Sequence, residues 1–561
     1  MKKLVSLVLV LMMALAAVPA LAVTEVPDTY YAEQIQLVVD NLQSWYEENY
    51  GEGHLVKPFE ETVEVTMVNY YSANLETSMA TWNKQWGETL EYNRYVEAIE
   101  KALNIKINYK WLKNSADSGY LQQVRLMIAA SEIPDMFLVT DQTDLLQLAE
   151  AELIMPVDDI MDKYFTTNDK TAMFSDGGML KEMAQYDGKT YGLPRSISDT
   201  DTFSYLWLRE DWMEEQSLDR PKTMEDLKNI MVTFQKAYGG YGMLIDKGLW
   251  YSTRGLFAGF KAYPEFWVKD EDDNLVWGGT QDTIKDALTY LNGLYKDGLL
   301  DPEFITQSNG DAQALFLNEQ TGVVYAGHWV AHQFQKAWAN NNKVDWYCVE
   351  LPSVDGEAVE QYLNPQARGW VVIREGYEHP EVAGMISALQ AFVFQSGITD
   401  GSWWFSNDGA QELEPMQANV SSWDNYNTWL NLLEAYEADD PSVLRGKAIT
   451  YWGNLHTGDN NQWAWDHMFS NLPDQPMHVL KNAIEDGRIN YEGFLGAPSE
   501  LMNDRWSTIK NEQLIAFTKI IIGEVGVEEG FEAWLKTFDS MGGNTITAQV
   551  NEWYATSSFK E

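Results

Sequence analysis

Thr62–Val68, TVEVTMV, is the stretch on which the fold turns. Val63, Val65 and Met67 fall on one side of an extended chain, and Thr62, Glu64 and Thr66 on the other. This is the period-two pattern of a strand with one covered face. Ile105–Trp111, IKINYKW, repeats the alternation at Ile105, Ile107, Tyr109 and Trp111, and Asp135–Val139, DMFLV, is an apolar run. Between these strands stand two helical stretches. One runs from about Glu88 with Val96, Ile99 and Leu103 on one face, and the other is LQQVRLMIAA, residues 121–130. Strand, helix, strand, helix, strand predicts a parallel sheet covered on both faces. Ligands of such sheets bind beyond the carboxyl ends of the strands.

Working outward, a second unit begins near Thr202. FSYLWLR, residues 203–209, reads as a strand. A helix follows Pro221, capped by Thr223 with Asp226 completing a capping box, and Leu227, Ile230, Met231 and Phe234 form its apolar face. Thr280–Asp297 carries Ile284, Ala287, Leu288, Leu291 and Leu294 in helical register, with Gly298 just past its end. Ahead of the first strand, residues 23–60 form a leader in which Tyr30–Tyr50 has helical spacing at Ile35, Val38, Val39, Leu42 and Trp45. Residues 1–22 read as a signal peptide: Lys2 and Lys3, an apolar run from Leu4 to Val18, then Ala20-Leu21-Ala22. Cleavage is expected after Ala22, an uncleaved anchor being the alternative.

A chain of 561 residues is too long for one typical domain and predicts at least two large lobes. The 84 acidic residues against 39 basic ones exclude a nucleic-acid binder, because phosphate contacts need Lys and Arg. The same charge repels polyanionic glycans unless a local patch is basic. Cys348 is the single cysteine, so no internal disulfide forms, and its place in VDWYCVEL predicts a buried thiol.

Several segments, taken in order, resemble the extracellular solute-binding proteins of carbohydrate ABC importers, family 1. They are EIPDMFLV, ELIMPVDDIMDKY, DGKTYGLPR, YLWLREDWMEEQSLDRPKTMEDL, LNGLYKDGLLDPEF, NEQTGVVYAGHW, VELPSVDG and RGWVVI. The ending AFTKIIIGEVGVEEGFEAWLKTFDSMGGNTITAQVNEWY is similar to the subgroup serving oligosaccharide importers, including lipoprotein and alginate-type binders. The resemblance spans roughly residues 61–555. It implies an α/β, two-lobed periplasmic-binding-protein fold, type II-like, with a hinge between the lobes. Residues 61–197 with about 370–410 are expected in lobe 1, and about 198–368 with 411–561 in lobe 2. The crossings are expected near Pro194–Thr202, near Asn364–Trp370 and around residues 400–412. The implied partners are an oligosaccharide held between the lobes and the ABC permease subunits in the membrane, with the chain itself monomeric. Two departures from the family matter. No cysteine follows the signal segment, so an N-terminal lipid anchor is not expected. Where some relatives carry a calcium loop this chain reads FQKAYGGYGML, without acids, so that site is expected to be missing.

The candidate ligand residues follow from strand ends, crossings and aromatics. Tyr325–Trp338, YAGHWVAHQFQKAW, places His328 and His332 at the spacing of two zinc ligands, but Trp, Val and Ala stand between them where a Glu is usual. The resemblance instead makes Trp329 a sugar platform, with His328 beside it and Trp338 in packing; core packing of Trp329 is the competing reading. A pyranose lays its C–H face on an aromatic ring while its hydroxyls reach polar neighbours. Tyr71, Asn74 and Trp82 follow the first strand, and Asp141 follows the third, where a helix cap is the alternative. Arg195 stands at the first crossing as a donor to hydroxyls or as half of a hinge ion pair. Arg368 and Trp370 stand at the second. Trp250 and Tyr251 lie on a loop of the second unit, Trp452 in the tail region. As a set these aromatics account for the 23 tryptophans better than core packing alone. DEDDNLVWGGTQD, residues 270–282, mimics the start of an EF-hand, but Leu275 and Gln281 replace its glycine and its glutamate, so a hairpin turn is expected. No nucleophile elbow, P-loop or zinc signature appears, and no catalytic residue, cofactor or metal is predicted. Two other classes remain: a secreted adhesin or sensor without transport, and a glycoside-active enzyme with an unmarked carboxylate pair.

Overall fold

The computed structural model describes residues 29–51, 56–114, 119–165, 167–405, 410–417, 419–557 and 559. The expected signal segment lies outside the described residues. Two lobes are each built on one sheet. In the first lobe the order is β2 (Ile105–Asn114), β1 (Val63–Tyr71), β3 (Met136–Val139), β8 (Ala367–Ile373) and β4 (Leu193–Ser196). β1 pairs in parallel with β2 and β3, as the alternation predicts. β8 runs antiparallel to both β3 and β4, so the sheet is mixed rather than purely parallel. The reason is directional: the chain re-enters this sheet from the hinge end, where the carboxyl ends of its neighbours lie.

Alternation then builds two cores. Val63, Val65, Met67, Met136, Leu138, Val371 and Ile373 pack on one face. Val68, Phe137, Val139, Trp370 and Val372 pack on the other. The leader helix spans Tyr30–Tyr50 and lays Ile35, Val38, Leu42 and Tyr46 into the first of these cores. The helix expected from Glu88 begins later, at Arg94, because the Asn93 side chain caps it by accepting from the Tyr95 and Val96 N–H groups.

The second lobe holds an antiparallel sheet, β6 (Val323–Ala326), β5 (Tyr205–Arg209) and β7 (Trp346–Val349). Leu206, Leu208, Val323, Tyr325, Tyr347 and Val349 face one core. Tyr205, Trp207, Val324, Ala326, Trp346 and Cys348 face the other. The Thr223–Asp226 capping box forms on the helix Met224–Tyr238. The second predicted helix runs from Thr283 to Lys296, shorter at its start because Gly278–Thr280 winds as a 3-10 turn. Residues 270–274 turn the hairpin between Trp267–Lys269 and Leu275–Trp277, with Asp270 Oδ1 accepting from the Asp272 and Asn274 N–H groups.

The chain passes between the lobes' cores three times. It leaves the first after Leu193 and enters the second at Phe203; it leaves the second after Leu363 and re-enters the first at Trp370. Leu413 and Met416 still pack in the first lobe, and Trp429 is the first apolar residue buried in the second. The last passage therefore comes later than residues 400–412. Among the described residues no helix is long and apolar enough to cross a membrane.

Candidate ligand site at the lobe junction

The three passages are tied together at one residue, Asp199. Asp199 Oδ1 accepts from the Gln366 N–H at 2.6 Å, and the Asp199 N–H donates to the Ser422 carbonyl at 2.9 Å. The Ile197 N–H donates to the Gln366 carbonyl, and the Val420 N–H to the Ser196 carbonyl. Burial pushes the Asp199 carboxyl up to about 7, against the Gln366 N–H that favours its charge. Tyr491 and Ser422 lie beside it.

On the first lobe the junction is edged by strand ends. Tyr70 and Tyr71 close β1, Asp141 follows β3, and Arg368 opens β8 at the same end of the sheet. Arg368 lies beside the Tyr70 hydroxyl. Below this edge Glu414 is fully buried near Arg195 and Arg368, and burial pushes its carboxyl up to about 7.

On the second lobe, β6 ends at Ala326 opposite the start of β5, so Gly327, His328 and Trp329 emerge beside the first passage. Gly327 is needed there: a Cβ would stand 2.8 Å from the Trp329 indole nitrogen and 3.2 Å from the Asp201 carbonyl. Trp329 is 36 % exposed, and alone of the 23 tryptophans it lies in the open. Its ring faces Tyr251 at 5.7 Å and 26°, and Tyr251 is 37 % exposed. The Tyr251 hydroxyl accepts from the Gly327 N–H at 3.2 Å, which locks the pair together. Tyr251 is not on a loop but in the first turn of the helix Trp250–Gly259. Leu249 launches that helix at φ 59 and ψ −60, with the Trp250 N–H donating to the Gly248 carbonyl. This is a γ-turn at a non-glycine residue, with strain of order 1–3 kcal/mol.

Polar groups sit around the pair. Asp201 accepts from Asn425 at 2.7 Å, and Asn425 in turn accepts from Lys447 and Tyr451 at 3.0 Å each. His328 is buried, with Nε2 4.0 Å from Asp201 and Nδ1 without a hydrogen bond; burial holds its pKa below the ordinary value. His332 packs edge-on to Trp465, and among the described residues no three His, Cys, Asp or Glu side chains converge as a metal set.

A family profile described as bacterial extracellular solute-binding protein matches residues 77–409. The chain belongs to this family. Lipoprotein LipO of Bacillus subtilis (strain 168) is 20% identical over 479 residues, covering 82% of this chain and 89% of LipO. The fructooligosaccharide ABC transporter substrate-binding protein FusA of Streptococcus pneumoniae serotype 4 is 24% identical over 236 residues, 37% of this chain and 41% of FusA. The fold matches an HMO-binding, ABC-transporter-associated solute-binding protein from Bifidobacterium longum infantis with a TM-score of 0.60, at 15% identity, over 88% of this chain and 98% of that one.

Within this solute-binding protein several sequence candidates are spent on structure. Trp82 is buried, its ring 4.6 Å from the Arg94 guanidinium, which Trp86 and Trp403 also cover. Trp370 is buried and its indole N–H donates to the Leu180 carbonyl at 2.7 Å. Arg195 is buried beside Ser387 and Met416. Asp141 caps its helix through the Asp144 N–H. Trp452 stacks on His456 at 4.4 Å and packs on Tyr436, while its neighbour Tyr451 reaches the junction. Trp250 lies half-buried against Phe517 and Phe257. Tyr71 is half-buried on the first core, and the Asn74 side chain lies outside the described residues. The tryptophan excess is thus mainly core: Trp207, Trp346, Trp404, Trp429 and Trp534 are fully buried. Asp201, Asn425 and Lys447 join the junction in the structure without having been singled out in the sequence. Two acids in SDTDT at an expected crossing were the signal for Asp201; nothing local marks the other two.

Proposed function

We propose that this extracellular solute-binding protein captures an oligosaccharide between its lobes and delivers it to an ABC permease. The observation that carries the reading is the exposed Tyr251–Trp329 pair beside the first passage, with the Asp201 carbonyl close to Gly327 and the Arg254 guanidinium close to Tyr251. Stacked rings offer an apolar platform to sugar C–H faces, and the polar groups around them suit hydroxyls. The described residues of 61–197 with those of 367–417 form one lobe and the described residues of 198–366 with those of 419–557 the other, turning about Asp199. Closure is favoured when the sugar touches both edges, because a ligand shifts an equilibrium only by its differential affinity for the two states. Binding without turnover distinguishes this reading from a glycoside-active enzyme.

A thermal-shift screen of residues 23–561 against neutral, amino and acidic oligosaccharides tests it. A binder at a hundredfold excess over its Kd adds about 2.7 kcal/mol of stability. A shift with one glycan class, with the glycan recovered intact, supports a sugar receptor; glycan breakdown, or no shift across the whole panel, counts against it.

A further inference from the structure

The two lobes bring unlike groups to the Asp199 carboxyl. Asp199 opens the 3-10 turn Asp199–Thr202 on the first passage and is fully buried. Its Oδ1 is taken by the Gln366 N–H. Its Oδ2 is buried, with the Ser422 and Tyr491 hydroxyls beside it and no ordinary hydrogen bond to either. From the first lobe comes a second carboxyl, Asp176, also buried and held by the Gly178 and Leu180 N–H groups at 2.8 and 2.6 Å. Ser422 is tied to that lobe as well. Its N–H donates to the Ser175 hydroxyl at 2.7 Å, and the neighbouring Trp423 indole N–H donates to the Ser175 carbonyl at 3.1 Å. From the second lobe comes Tyr491, the last residue of the strand Ile489–Tyr491, which pairs in parallel with Gln361–Leu363. Asp201, two residues along the turn, is held by Asn425. Among the described residues neither Asp176 nor Asp199 has a Lys, Arg or His partner.

The lobes are together in this structure. The Gln142 amide donates to the Met183 carbonyl in its own lobe and to the Leu495 carbonyl in the other, at 3.0 Å each, and the Thr143 hydroxyl donates to Asn503 at 3.3 Å. With the lobes so placed, a charge on Asp199 is shut off from water and faces Asp176, and both effects penalise the anion. A proton on Asp199 removes the charge and gives the carboxyl a donor for the Ser422 or Tyr491 oxygen. Turning the lobes apart moves Tyr491, on one lobe, away from Asp176 and Ser422, held by the other. Water entering between them solvates the anion.

We propose that Asp199 is a proton switch in the hinge: neutral, it holds the lobes together, and ionised, it favours their separation. The sign follows from linkage. Burial pushes the Asp199 carboxyl up to about 7 with the lobes together, and hydration in the separated arrangement returns it towards the ordinary carboxylate range. The arrangement with the higher pKa binds the proton more tightly. A fall in pH therefore favours the lobes together, and a rise through about 7 favours separation. On the sugar-capture reading above, a sugar that touches both lobes binds more tightly when Asp199 is neutral.

Small-angle X-ray scattering of residues 23–561 without sugar tests the switch, in steps from about pH 5.5 to about pH 8.5, with circular dichroism at each step to show that the chain is folded. The wild-type radius of gyration is expected to be small at the acid end and to rise through about pH 7. Asp199→Asn, neutral at every pH, is expected to keep the small value throughout. Tyr491→Phe removes a hydroxyl that favours the anion, so its rise is expected at a higher pH than in wild type. A wild-type radius that does not change with pH overturns the switch, and so does a rise with the same midpoint in Asp199→Asn. Should Asp199→Asn not fold, an unshifted midpoint in folded Tyr491→Phe overturns it. None of these results touches the sugar reading, because no sugar is present.

Discussion

Replacing Trp329 with alanine separates platform from core. The ring is 36 % exposed. An aromatic side chain presents about 250 Å² at most, so about 90 Å² of Trp329 is free for a sugar face. At about 25 cal/mol per Å² that is worth about 2.2 kcal/mol, or roughly 40-fold in Kd. The figure is an upper bound, since a pyranose covers only part of the face. The cost to the fold is smaller. The lost stacking on Tyr251 is worth about 0.5–1.5 kcal/mol, and the Gly327–Tyr251 hydrogen bond that orients the loop stays. The assay is calorimetry with the glycan found by the thermal-shift screen, paired with urea unfolding of both proteins. A folded Trp329→Ala protein with a Kd within twofold of wild type refutes the platform. A large loss of stability, with affinity kept in the folded fraction, shows the ring to be core.

Four further outcomes follow from the same structure. Trp82→Ala is expected to cost about 3–5 kcal/mol of stability in urea unfolding, because it opens the ring of indoles around Arg94, while the sugar Kd of the folded protein is unchanged. Glu88→Ala leaves the buried Arg94 guanidinium, which Glu88 meets at 2.7 and 2.9 Å, without its carboxylate, and is expected to cost about 3–5 kcal/mol in the same experiment. Asp199 titrates at about 7 in the folded chain, above its unfolded value, so the folded state binds the extra proton. Its contribution is fully present below the unfolded pKa and lost as pH rises through about 7; Asp199→Asn is therefore expected to flatten the fall in unfolding free energy between about pH 4 and pH 7, measured by urea unfolding at stepped pH. Gly369 sits at φ 142 with the Val139 carbonyl 2.3 Å from where a Cβ would be, so Gly369→Ala is expected to cost about 1–3 kcal/mol and loosen the β3–β8 pairing, read by hydrogen exchange of the Trp370–Ile373 amides.

The strands and helices of the first lobe were legible because their signals are local. Period-two alternation at Val63, Val65 and Met67, helical spacing over Tyr30–Tyr50 and the Thr223–Asp226 box all act within a few residues. The resemblance to the family singled out Trp329, and the structure leaves that side chain exposed. The burial of Trp82 and Trp370 has no local signal. Their exposure depends on partners far along the chain, Trp403 over Arg94 for one and the Leu180 carbonyl for the other.

By itself the sequence determined the class of the molecule: an acidic α/β chain with two large lobes, a leader helix, one buried thiol and the motifs of a solute-binding family. Local periodicity and composition are enough for that, because each reports short-range sterics and the need to cover one face of an element. Only the tertiary structure decided that β8 enters antiparallel, that Leu413 and Met416 belong to the first lobe, and that three passages meet at Asp199. It also decided which tryptophan stays open. An indole is apolar enough to be buried wherever a partner face exists and polar enough to sit at a rim where none does. The long-range packing that supplies or withholds that face has no signature in the residues beside it.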